Sequence, residues 1–219
     1  MMKRLVIFAV AGALFLLFTE VRGEVASSTT LGDIQKKMDI AVANGAFGSA
    51  ARWQATLDLL SVPTPATFEE VLAIAKKGAL KHVKDESEAA RHANSVVIAR
   101  CLYGMDKKYI AEGFNLAVAD GNAVYTCLYA ERYKRRLGID NAQQFQYTLN
   151  ALKACQSRPA TVRAWLQRLP HLKPENVSDA AMLKELREVN QKYTSLMPAD
   201  EEAWKPIVVI IRTMMDSYK

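Results

Sequence analysis

Cysteine is scarce in this chain: Cys101, Cys127 and Cys155 are the only three in 219 residues. A number that small, and odd, excludes a minimal scaffold stapled by disulfides, so the fold must rest on a hydrophobic core. Histidine is as rare. His82, His92 and His171 stand far from one another and from any cysteine in a ligand-like spacing, which excludes a helical metal pair. We therefore expect no metal and solvent-facing histidines. Glycine (10) and proline (7) are few and fall where segments end, so the chain is neither collagenous nor of low complexity. No alternation of apolar and polar residues persists beyond a few positions, which argues against a sheet. The chain has no Gly-x-Ser-x-Gly elbow, no phosphate-binding glycine loop and no dinucleotide fingerprint. We accordingly expect a protein that is not an enzyme and holds no cofactor.

What the chain does have begins at its start. Lys3 and Arg4 precede an apolar run from Leu5 to Phe18, and Val21 and Gly23 set up a cut before Glu24. This is the plan of a secretory signal peptide, with an apolar run too short to span a bilayer. We expect residues 1–23 to be removed and residues 24–219 to form a single helical domain, secreted and extracellular. The leader carries Lys3, Arg4, Glu20 and Arg22, so the 29 basic and 23 acidic residues of the whole chain become 26 and 22, a net charge of +4. That mild excess favours anionic surfaces but does not imply nucleic acid. The run Ile207 to Ile211 is short and is followed by charge, so no membrane span is expected; apolar all round, it reads as a central helix.

The rest reads as helix: an all-α fold of about ten short helices with short loops, an antiparallel bundle around a hydrophobic core. Thr67 and Glu70 form a capping box. Ser87, Asp106, Asp140, Ser178 and Asp200 are read as caps, Gly104 and Gly138 as stops, Pro159 as a first-turn residue, and Pro170 and Pro174 as the brackets of a loop. The carboxylates Glu69-Glu70, Asp85-Glu86-Glu88 and Asp200-Glu201-Glu202 all fall at helix starts, where negative charge suits the helix dipole better than it suggests catalysis.

One constellation suggests binding. Tyr125, Tyr129 and Tyr133 share a stripe of the sixth helix, and Arg132, Lys134, Arg135 and Arg136 crowd its end. Cations with interleaved aromatics suit phosphate, sulfate or carboxylate groups or an aromatic ligand; a core stripe with a dipole-matched terminus is the plainer alternative. Asn176-Val177-Ser178 is a glycosylation sequon, so Asn176 is a candidate glycoprotein site. The sixth and seventh helices should pair around Gly138. Counting outward from that turn leaves Cys127 and Cys155 about one turn out of register, and with some tilt a Cys127–Cys155 disulfide is expected, Cys101 remaining a buried thiol.

The stretch from Cys101 to Cys155 resembles the helical odorant-binding proteins of arthropods and their salivary relatives. The likeness lies in a cysteine at a helix end, another about 26 residues on, and the turn Leu137-Gly138-Ile139-Asp140 before an amphipathic helix. It implies a Cys101–Cys127 pairing as the alternative disulfide and a buried pocket for a small apolar or amine ligand. Where that family has cysteines four residues apart, Ala123 and Glu131 flank Cys127. We expect a secreted binding protein for an extracellular protein or polyanion, with a carrier of a small apolar ligand as the alternative and an enzyme with a scattered site third.

Overall fold

The computed structural model describes residues 28–62, 65–104 and 106–219. The expected signal peptide lies outside them. Ten α-helices account for most of the described chain: α1 Ser28–Ala43, α2 Phe47–Leu60, α3 Phe68–Ala79, α4 Glu86–Leu102, α5 Ile110–Ala119, α6 Ala123–Leu137, α7 Asn141–Ala154, α8 Pro159–Leu172, α9 Asp179–Leu196 and α10 Glu201–Asp216. Short 3-10 turns cover Lys107–Tyr109 and Met197–Ala199. Among the described residues there is no strand, and the fold is all-α. None of these helices is long and apolar enough to cross a membrane.

The helices group into two compact units, the first reaching to Gly121 and the second running Asn122–Lys219. In unit 1, α2 packs on α1, α3 and α4, and α4 also packs on α3 and α5. Ile34 and Met38 from α1 meet Trp53 and Leu57 from α2 in one cluster, while Ala51, Ala79, Val83 and Ala89 form another. Small side chains let α2 and α3 come close. A Cβ on Gly78 would stand 2.9 Å from Ala55 Cα, so this glycine is required by the backbone crossing rather than by its own dihedrals.

Unit 2 has the larger core. Trp165, Leu166 and Leu169 of α8, Met182, Leu186 and Tyr193 of α9, and Trp204 and Ile211 of α10 are buried together. Tyr193 stacks on Trp204 at 5.1 Å and donates its hydroxyl to Leu152 O at 2.7 Å. Lys192 Nζ also donates to Leu152 O, at 3.4 Å, and to Lys153 O. The end of α9 thus satisfies carbonyls that the end of α7 leaves without an intrahelical partner.

Helix boundaries follow local chemistry where the caps are strong. Thr67 Oγ1 accepts from Glu70 N at 3.2 Å while Glu70 returns a bond to Thr67 N. Asp140 and Gln143 make the same reciprocal box, with bonds of 2.7 and 3.0 Å. Gly138 takes the left-handed conformation at φ 65°, and Ile139 N reaches back to Lys134 O at 3.0 Å. These two devices fix the α6–α7 hairpin.

Elsewhere the structure departs from sequence expectation. Asp85, not Ser87, caps α4, accepting from Glu88 N at 2.7 Å. Asp106 caps nothing; its carboxylate binds Arg100 instead. Pro170 lies inside α8, whose inward face of Trp165, Leu166 and Leu169 outweighs the one backbone bond a proline cannot donate. The apolar run in α10 is one-sided rather than central: Ile207, Val208 and Ile211 are buried, but Val209 is 56 % exposed.

All three cysteines are free, buried thiols, and the expected Cys127–Cys155 bond is not formed. Cys127 Sγ donates to Thr148 Oγ1 at 3.7 Å, so Cys127 sits level with Thr148. Cys155, the residue that follows the end of α7, lies about two turns farther on, roughly 10 Å at 1.5 Å per residue, whereas one turn was expected. The alternative, Cys101–Cys127, is not formed either. Burial pushes the Cys101 and Cys127 thiols up to about 12.

Candidate functional site

The α6 helix ends in a basic turn because the sequence stops it hard at Gly138, and cations are favoured beside the free carbonyls of a helix C-terminus. Tyr133 leaves helical geometry at φ −125° and ψ 21°, so that last turn is kinked relative to the helix before it. Arg132, Arg135 and Arg136 are exposed, and Lys134 is half-buried, its Nζ donating to Asn141 Oδ1. Arg132 lies over the Tyr133 ring at 5.7 Å. Glu131, the nearest acid in sequence, is engaged by Arg168 of α8 at 2.5 Å, which limits how far it offsets the cluster.

The tyrosine stripe divides. Tyr129 is 0 % exposed and belongs to the core, so it cannot meet a solvent-borne ligand. Its ring lies 6.1 Å from that of Tyr133, packing the kink from beneath. Tyr125 is half-buried near the other end of α6, with the Arg158 guanidinium 6.0 Å from its ring. The structure therefore keeps the four cations together and separates them from two of the three tyrosines. What remains is an electrostatic surface with one aromatic ring, Tyr133. Asn176 is exposed in the turn between α8 and α9.

Sequence reasoning missed a second feature, in unit 1. Gly45, Phe47, Gly48, His82, Val83, Lys84 and Glu88 line an open cleft of about 600 Å³. His82 Nε2 lies 3.4 Å from Gln54 Oε1, and Gln54 in turn donates to Asp58 at 2.6 Å. Behind the rim sits His92, whose side chain is only 13 % exposed, against the expectation of a solvent-facing histidine. The cause is Gly48, whose missing side chain leaves the space the imidazole occupies: a Cβ there would stand 2.8 Å from His92 Nε2. Only contacts between helices remote in sequence reveal this. Among the described residues, no group of three or more His, Cys, Asp or Glu is arranged to hold a metal ion.

Burial holds the His92 pKa below its ordinary 6.5, the nearby Arg52 adds to the effect, and Glu88 opposes it. The neutral imidazole thus belongs to the folded state. As pH falls below the ordinary value, the unfolded chain takes up this proton first, and folding stability drops until the lowered value is passed. Denaturant midpoints followed from neutral pH to about pH 5 should decline more for the native chain than for His92→Gln. Parallel declines would show that His92 titrates as a solvated group.

No family model matches the chain, and no curated protein or solved structure matches it.

Proposed function

We propose that this is a secreted, non-enzymatic helical binding protein, and that it holds an extracellular polyanion at the basic end of unit 2. The observation that supports this best is the exposure of Arg132, Arg135 and Arg136 on one kinked terminal turn, anchored by the buried Tyr129. A match to the helix dipole accounts for cations here, but does not by itself require three exposed arginines within five residues. Arginine presents a planar fork of donors suited to sulfate, phosphate or carboxylate oxygens. Secretion rests on the pattern of residues 1–23.

The test is retention on heparin. The native chain should bind and be released by salt, because exposed charges act through a field with a screening length of about 8 Å at physiological ionic strength. Replacing Arg132, Arg135 and Arg136 together by Ser should abolish retention at physiological salt. The helical spectrum should persist, since surface changes of this kind shift stability by only about 0.5 kcal/mol each. Lys134 is left in place because its bond to Asn141 ties α6 to α7. Equal elution of native and triple-variant protein would remove the proposal.

A further inference from the structure

We propose that Asn176 accepts an N-linked glycan, an inference that rests on the secretory reading above. Asn176-Val177-Ser178 is the single sequon among the chain's asparagines. The structure places it in the α8–α9 turn, where Asn176 is exposed and its neighbour Val177 is half-buried. Val177 packs against the unit-2 core, and its N–H donates to Pro174 O at 3.0 Å. Lys173 and Asp179 pair across the base of the turn at 2.9 Å. With its neighbour anchored inward, Asn176 is held exposed on the crest. A glycan there displaces no buried group.

Two contacts place this turn within unit 2. The Arg168–Glu131 pair sets the end of α8 beside the second half of α6. Lys192 and Tyr193, near the end of α9, bind the last carbonyls of α7, so α9 begins at the opposite end, where α7 starts. Asn176 therefore stands at the end of the unit that carries Gly138 and the basic turn.

In the transfer, Asn176 Nδ2 forms a bond to the anomeric carbon of a lipid-diphosphate-linked oligosaccharide. The bond from that carbon to the phosphate oxygen breaks, the lipid diphosphate leaves with the electron pair, and Nδ2 loses a proton. The Ser178 hydroxyl serves the acceptor motif in the nascent chain. In the folded protein it caps α9, accepting from Ala181 N at 3.2 Å.

The full chain should be produced in cultured animal cells with its own first 23 residues and, in parallel, with a proven heterologous leader. Lysate and medium are then treated with an amidase that releases Asn-linked glycans and leaves Asp. We expect a mobility shift on treatment and conversion of Asn176 to Asp in the peptide mass spectrum. Asn176→Gln and Ser178→Ala should lose the shift. Ser178→Thr should keep it, preserving both hydroxyl and cap, which separates loss of the acceptor from loss of the fold. If only the heterologous leader yields glycosylated protein, the acceptor site stands and the secretory reading fails. Unmodified Asn176 in protein recovered from the medium overturns the proposal.

Discussion

Asp106→Ala should lower the stability of unit 1 by about 3–5 kcal/mol, because it strands a buried guanidinium. The Arg100 and Asp106 side chains are 8 % and 3 % exposed, and they meet at 2.8 Å between Nε and Oδ2. A second contact joins Nη2 to Oδ1 at 3.4 Å. Arg100 Nη1 is buried with no hydrogen-bond partner, so the site is already short of acceptors before the mutation. Removing the carboxylate leaves an unpaired charge in a dry setting, whereas removing both partners does not. Arg100→Leu combined with Asp106→Ala should therefore recover much of the loss. Urea denaturation of the three proteins measures both effects. A loss below about 1 kcal/mol for Asp106→Ala would mean that water reaches the pair and that it behaves as a surface bridge.

In unit 2 the largest loss is expected from Trp165→Ala, about 3–5 kcal/mol for a cavity of indole size. Trp165 is fully buried in the middle of the α8, α9 and α10 cluster. Its Nε1–H has no acceptor, which makes the indole a costly occupant as well as a large one. Trp165→Phe keeps most of the ring volume and removes the orphaned donor, so it should cost clearly less than the alanine change. If Phe and Ala are equally damaging, the fit of the indole outline, rather than its volume, holds the core together.

How much of this was legible in the sequence depended on whether the deciding interaction was local. The boxes at Thr67 and Asp140 and the stop at Gly138 involve residues within a few positions of one another, and their side chains alone dictate the turn. The carboxylate runs fell at helix starts for the same reason. Asp106 looked like a cap because it precedes a helical stretch, but a buried arginine on the previous helix claims it. Pro170 looked like a break, yet three inward-facing neighbours hold α8 together through it. The thiols were expected one turn out of register, and the hairpin sets them about two turns apart, a difference that counting from a turn cannot resolve. In the candidate site the cations were readable as a cluster. The partition of the tyrosines was not, because a repeat of four puts residues on one stripe without saying which part of that stripe another helix covers. His92 stayed hidden because its burial depends on an absent side chain at Gly48, on another helix.

The three sealed thiols also make the protein its own clock. A thiol reagent attacks the thiolate, and Cys101 and Cys127 are held far from ionising while they stay buried. Label can then enter only through an opening event. Cys101 belongs to unit 1, and Cys127 and Cys155 to unit 2, so the order in which they acquire label reads out which half of the chain breathes first, with no probe added.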